Sequence, residues 1–529
     1  MIISIAIPTI RPLCANYRKT IFSIVFCLFA ISTVWAQQPV TPPATTNTYT
    51  EQQLENSTES SEDAETQDDS FLQSLQQYAK DPMNLNAVDE ATLKELMILS
   101  PIQIQSFISY RKLFGDLLTI YELQAVPSWD LYTIEKIRPF VKVASTETIA
   151  ASLGSRLKGG THTLVMRVNQ IMETSKGFQV DPVTKQKYYP GSPQRYFLRY
   201  RYQFKNLLQY GFVAEKDAGE SFFSGYQKSG FDFYSAHLFA RNLGPIKALA
   251  LGDFTVNFGQ GLTQWQSLAF KKSPDVTNIK RQLPTLRPYS SAGEANFHRG
   301  IGITMEKNKW EWTLFASLRK MDANFAQDSG AGGDFDFVTS FQSSGLHRTA
   351  AEVADKGVQQ QITYGGNLHY SNDRLKIGVN ALQYKFGLPV IKSNEPYNIY
   401  ALSGKSLTNV SVDYSYTYRN MHLFGELATD QDGCKALMQG LLMSVDVNAD
   451  LSMVYRNISP GYKSLYTNAF TESAFPVNEQ GLYTGLTIRP TTQWRIDGYV
   501  DFYRFPWLRF LVDAPGTTGI DYMAQVTYR

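Results

Sequence analysis

The chain has 529 residues with 50 Lys and Arg against 48 Asp and Glu, a near-neutral balance that gives no case for nucleic-acid binding by net charge. Its mean hydropathy is negative, and beyond the N-terminus no stretch offers the ~18 consecutive apolar residues a membrane-crossing helix needs. Aromatic residues make up 13%, with 31 Tyr and 32 Phe, which suits strands and interfacial girdles, so a bilayer, if crossed, is crossed by strands.

Residues 1–36 place Arg11, Arg18 and Lys19 before the apolar run Ile21 to Val34, followed by Trp35-Ala36, which reads as a secretory signal peptide cut after Ala36. Without it the chain keeps 47 basic and 48 acidic residues, and Cys434 alone of its three Cys, so no intrachain disulfide forms. Residues 37–80 contain TPPATTNT and ENSTESSEDAETQDD. They carry too little apolar surface to offset the entropy of ordering and read as a disordered acidic tether.

Over residues 81–145 the apolar spacing becomes helical. Asp89 is placed to cap a helix carrying Leu93, Leu96 and Leu99, and short amphipathic stretches follow at Ile104 to Leu113, Ile120 to Val126 and Leu131 to Val141. The segments MNLNAVDEATLKEL, SYRKLFGDLLTIYELQAVP and IEKIRPFV resemble the tandem helix-hairpin-helix domain of the competence protein ComEA, over the whole module and in the same order. That resemblance implies binding through two hairpin turns, here Ser100-Pro101-Ile102-Gln103 and Pro127-Ser128-Trp129-Asp130. The family's glycines, which bring backbone N–H groups up to phosphate, are missing from both, and Asp130 would repel a phosphate. With six basic and seven acidic residues between 82 and 143, the module is expected to dock a periplasmic protein, nucleic acid being possible but disfavoured. Trp129 is either an exposed anchor for a partner or part of the module's own core.

From residue 155 to 529 the spacing alternates. In Arg195 to Phe204, the residues Tyr196, Leu198, Tyr200, Tyr202 and Phe204 share one parity, while Arg195, Arg199, Arg201 and Gln203 share the other, broken only by Phe197. Sixteen such strands are expected, at 161–173, 195–205, 207–216, 231–241, 246–256, 297–306, 310–319, 361–371, 374–386, 407–419, 421–429, 436–446, 449–457, 481–489, 493–504 and 519–529. A tight turn follows each even strand and mostly long loops follow the odd ones, the arrangement of an outer-membrane antiparallel β-barrel. The fold class is therefore mainly β, a transmembrane barrel preceded by a small all-α module on its periplasmic side. GDFTVNFGQGL, Gly345-Leu346-His347-Arg348-Thr349, SPGYKSLYTNAF, NEQGLY and YRFPWLRFLVDAP resemble a poorly characterised group of predicted outer-membrane proteins with an N-terminal helix-hairpin-helix domain. The resemblance implies no particular activity.

For an enzyme the chain offers no GxSxG, HExxH or paired-Cys pattern, and neither a metal nor a cofactor is expected. His347 beside Arg348 is one pair with catalytic potential, against the commoner role of loop packing, and Asp232, Asp334, Asp336 and Asp501 either pair with lumen arginines or line a pore. Two readings follow. As a transport protein, Arg195, Arg199, Arg201, Arg319 and Arg419 face the lumen and bias it toward anions or other small solutes, with the loop 257–296 folded inward as constriction or plug. As a scaffold, the barrel is an anchor in outer-membrane lipid and the tethered module recruits its partner. A DNA-uptake port is the alternative that takes the ComEA resemblance at face value.

Overall fold

The computed structural model describes residues 70–145, 153–183, 185, 187–328 and 335–528, all within one compact unit, Asn56–Arg529. The expected signal peptide and the tether up to residue 69 lie outside the described residues, as does Asp334. No helix among the described residues is long and apolar enough to cross a membrane, a statement that does not bear on strands.

The last eleven residues of the expected tether are a helix, α1 (Ser70–Lys80), whose Leu75 and Tyr78 are buried in the helical module. The Gln and Ser around this apolar pair match the composition of the preceding polar run, so the helix has no separate mark in the sequence. α2 (Glu90–Glu95) starts where Asp89 accepts from the Thr92 N–H at 2.8 Å. α3 (Pro101–Phe114) has Pro at its start, where no N–H is needed, and stops at Gly115, whose φ of 88° favours glycine. A 3-10 turn, Ile120–Ala125, leads to α4 (Leu131–Ile137), capped by Asp130. The two-residue strands Met83–Asn84 and Val141–Lys142 pair in parallel and tie the ends together around a core that includes Leu85, Leu93, Leu96, Phe107, Leu123 and Ile137.

Among the described residues, nineteen strands make up the closed barrel order. Three of them, Leu286–Pro288, Ala323–Asp328 and Phe335–Phe341, are short pieces in the long loops, which leaves sixteen of nine residues or more. These are β1 (Thr161–Asn169), β2 (Arg195–Phe204), β3 (Leu208–Lys216), β4 (Phe233–Leu243), β5 (Ile246–Val256), β6 (His298–Lys307), β7 (Trp310–Met321) and β8 (Gln359–Ser371). The second half comprises β9 (Leu375–Val390), β10 (Gly404–Tyr418), β11 (Met421–Asp430), β12 (Lys435–Asp446), β13 (Ala449–Ile458), β14 (Glu479–Thr491), β15 (Trp494–Phe505) and β16 (Thr517–Tyr528). Each pairs antiparallel with the next, and the order closes with β16 beside β1. All sixteen coincide with the expected strands to within a few residues at their ends.

The alternation decides which face each residue takes. On β7, Trp310, Leu314 and Leu318 point outward and are about half exposed, while Thr313, Phe315, Ser317, Arg319 and Met321 are buried inside. Trp310 and Tyr370, Trp494 and Tyr528, and Tyr416 and Tyr418 form outward aromatic pairs near the short-turn end, as in a girdle. A short helix, α5 (Leu153–Lys158), covers part of this rim: the Tyr202 hydroxyl donates to the Arg156 carbonyl, and the Arg156 guanidinium donates to the carbonyls of Arg241 and Asn242.

Candidate functional site: a barrel closed by its own chain

The strands build a wall, and three segments of the same chain fill what it encloses. The loop leaving β5 turns inward at Asn257-Phe258-Gly259-Gln260-Gly261. A carboxylate on the opposite wall, Glu426 of β11, accepts from the N–H groups of Gln260 (2.6 Å) and Leu262 (3.1 Å) and from the Thr263 hydroxyl (3.1 Å). Gly259 is needed there, since a Cβ would stand 2.6 Å from that carboxylate and its φ is +48°. Further on, Gln264 bonds His298 and Tyr384, and the Val276 carbonyl accepts from Ser452 at 2.6 Å. Lys272 pairs with Asp501 and Asp521 beside the buried Arg456, which itself holds Asp501 with two bonds and Glu479 with a third. The expectation that the loop 257–296 folds inward therefore holds.

A second loop, between β13 and β14, lies against the first: the Tyr462 hydroxyl donates to the Leu262 carbonyl at 2.9 Å, and Arg281 Nε to the Asn468 carbonyl at 2.7 Å. The inward loop reaches the far end of the barrel, where Leu268 and Phe270 pack into the core of the helical module.

The third segment is that module, seated at the short-turn mouth. Glu90 pairs with Lys376, Glu95 with Arg241, Lys112 with Asp373 at 3.0 Å, and Asp130 with Arg489 at 2.8 Å. Thr92 accepts from Asn206, and the Leu99 carbonyl from Gln282 of the inward loop. Its barrel-wall contacts lie near the short-turn ends of strands or in the turns themselves. The module that follows the expected tether is thus also seated on the barrel, through charged side chains that pair across the mouth.

The two hairpin turns take part in this seating. Ser100 and Gln103 form a reciprocal cap at the start of α3, and Gln103 Nε2 donates to the Ser128 carbonyl and the Thr133 hydroxyl, joining one turn to the other. Beside Pro101, Ile102 is buried against wall and loop residues including Phe424, Leu442 and Ile279. Trp129 belongs to the module's own core, its ring 5.7 Å from that of Phe107 and its Nε1 donating to the Gln103 carbonyl. Asp130 caps α4 and reaches Arg489, while Pro127 and Ser128 remain exposed. Ser128 takes a φ of 67°, in the left-handed region.

Four of the five arginines expected in the lumen face inward, and each is engaged there. Arg195 pairs with Glu215 and Asp217, and Arg199 is buried over Phe197. Arg201 lines a small cavity beneath the module, and Arg319 donates to the carbonyls of Phe297 and Glu294. Arg419 is a correction: it sits exposed in the turn between β10 and β11 with a φ of 52°, because the reversal ends the alternation one residue before it.

At the long-loop end a second cluster gathers residues from three loops. The ring of His347 has Nδ1 2.5 Å from Asp232 and Nε2 3.1 Å from Asp322, and the His347 backbone N–H donates to Glu220 at 2.8 Å. Lys356 pairs with Asp232 at 2.7 Å. Glu220, Asp232 and His347, or Glu294, Asp322 and His347, present donor atoms close enough to share a metal ion. Both ring nitrogens already face carboxylates, so the imidazolium itself serves as the bridging cation. Burial alone would lower the His347 pKa, but the hydrogen bonds and charges of Asp232 and Asp322 outweigh it and raise the value to about 10. Burial, then the neighbouring Asp232, pushes Glu220 up to about 7. His347 is 1% exposed on its side chain, so the loop-packing reading of His347 fits and Arg348 instead pairs with Glu352.

No family model matches the chain, and no curated protein does. Among solved structures it is similar to the anion-selective porin of Comamonas acidovorans, at 14% identity over 70% of this chain and 98% of the porin, with a TM-score of 0.30. It is also similar to OpdQ of Pseudomonas aeruginosa (11% identity, 63% of this chain and 79% of that one, TM-score 0.32) and to OccK9 of the same organism (9%, 70% and 87%, 0.33). Similarity at this level carries no argument, and the functional reading rests on the barrel's own strands.

Proposed function

We propose that the chain is an outer-membrane barrel protein of the transport class, closed at rest by its inward loop and by a helix-hairpin-helix-like module seated in its periplasmic mouth. Sixteen strands with an apolar, aromatic-flanked outer face support the membrane setting, and short turns on the module's side support its periplasmic orientation. One observation carries the gated reading: ion pairs between partly exposed side chains at the rim, Lys112 with Asp373, Lys376 with Glu90 and Arg489 with Asp130, join the module to the mouth beside the buried contacts of Ile102 and Phe270, and rim pairs of this kind are individually weak.

Planar-bilayer recording tests it. The native chain is expected to insert without steady conductance, and a chain lacking residues 70–143 to conduct while keeping the heat-modifiable gel mobility of a folded barrel. A truncated barrel that folds and stays silent would return the scaffold reading, in which the barrel anchors the module for a periplasmic protein. A DNA-uptake port fits less well, because Ile102 and Asp130 of the hairpin turns are engaged with the barrel.

A further inference from the structure

Four large apolar side chains stand outside the helical module's core within the stretch 113–121. Leu113 and Phe114 end α3, Leu118 and Tyr121 follow it, and all four are between 73% and 86% exposed. A single exposed Leu is ordinary on a protein surface, whereas four on so short a segment mark a contact that the chain alone does not make. Where this segment stands follows from α3. The helix begins inside the mouth, where Ile102 is buried against Phe424 and Leu442, and it leaves past the turn between β8 and β9. There Gln105 Nε2 donates to the Asp373 carbonyl and Lys112 pairs with the Asp373 carboxylate, both at 3.0 Å. From Gln105 to Phe114 the helix rises about 13 Å, enough to carry its apolar end beyond the wall.

The rim at that place suits lipid headgroups. Three consecutive short turns, 308–309, 372–374 and 419–420, expose Lys309, Arg374 and Arg419, and the one acid in these turns, Asp373, is matched by Lys112. Asp116, the acid within the apolar segment, interacts electrostatically with Arg111. On the strands that flank the turns, Trp310 with Tyr370 and Tyr416 with Tyr418 form the outward aromatic pairs of the girdle. Cations beside an aromatic girdle meet the phosphates of a leaflet, and an apolar segment next to them enters the boundary between headgroups and acyl chains. A protein partner would need no such pairing of cationic turns with lipid-facing rings. We propose that residues 113–121 lie in the headgroup layer of the periplasmic leaflet, an anionic phospholipid surface, so that the membrane holds the module beside its ion pairs with the barrel. The proposal rests on the membrane setting and orientation proposed above and adds the leaflet as a partner of the module.

The test uses the full-length protein in nanodiscs of phosphatidylethanolamine with phosphatidylglycerol, in a Cys434→Ser background. A fluorophore is placed on Leu118→Cys or, as reference, on Leu314→Cys of the outward face of β7. Lipids carrying a nitroxide near the headgroup should quench the dye at position 118 about twofold or more, while aqueous iodide quenches it weakly. Lys309→Gln together with Arg374→Gln should reduce that lipid quenching. A dye at 118 that iodide reaches as freely as it reaches the dye alone, with no loss to the lipid nitroxide, overturns the proposal and leaves the apolar segment to a periplasmic protein. The reference, read with a nitroxide deep on the acyl chain, separates the two readings. Quenching at 314 without quenching at 118 sinks the lipid contact alone, whereas no quenching at either removes the membrane setting with it.

Discussion

The inward loop and the helical module both close the barrel, but they are held by different forces. The loop is fixed by buried bonds: three donors converge on Glu426, which is 1% exposed, and Arg281 spans from the Phe270 carbonyl to Asn468. Hydrogen bonds to a buried charged group contribute about 1.5–3 kcal/mol each. The module's rim pairs are partly solvated, Lys112 and Asp373 at 68% and 75% exposed, whereas Arg241 and Glu95 at 15% and 7% are nearly buried. Exposed pairs such as the first contribute roughly 0.2–1 kcal/mol each and weaken with salt. The loop is thus a fixed filling, and the module one held in part by weaker, salt-sensitive pairs.

Deleting residues 70–143 tests the module most severely, converting a silent barrel to a conducting one. On the fixed part, Glu426→Ala leaves buried loop donors without an acceptor and should destabilise the fold by about 3 kcal/mol or more, read as a lower temperature for loss of heat-modifiable mobility. No change in that temperature would mean that the loop is not fixed by Glu426.

Charge reversal should act more mildly. Lys376→Glu places like charges at Glu90 and should raise the opening frequency severalfold, while the exchange Glu90→Lys with Lys376→Glu should restore much of the closure. Failure of the exchange to restore closure would assign the effect to something other than this pair.

The two ends should also respond oppositely to pH. Burial would raise the Glu90 pKa, but Lys94 and Lys376 outweigh it and hold the group well below 4.5. A depressed carboxyl supports the seated module above its unfolded value and loses that support as pH falls through the folded one, so acid should release the module. His347 has the reverse sign. Its folded pKa of about 10 stands above the ordinary 6.5, so its support is complete below about 6.5 and is lost as pH rises toward 10. Limited proteolysis should therefore reach the module first in acid and the long loops first in alkali, and an identical pattern at both extremes would remove the distinction. The smallest effect belongs to Arg419→Gln, which in the conducting chain lacking residues 70–143 should leave ion selectivity unchanged because that side chain lies outside the lumen.

The strands, their faces and the alternation of short turns with long loops were legible because they are local. A period of two is written into neighbouring residues, and burial of one face enforces it, so β7 and β10 read the same in sequence and in space. Capping at Asp89 is equally local. The seat of the module was not legible, since Glu90 and Lys376 are 286 residues apart and neither carries a mark of the other. Nor was the anchor of the inward loop, with Gln260 and Glu426 separated by 166 residues. α1 escaped notice because an apolar face of two residues acquires meaning only against the core that buries it. By itself the sequence determined the barrel's wall and the inward sense of Arg195, Arg199, Arg201 and Arg319. Only the tertiary structure decided that the barrel is filled, because a buried charge takes its partner from whatever the fold brings near, not from its neighbours along the chain.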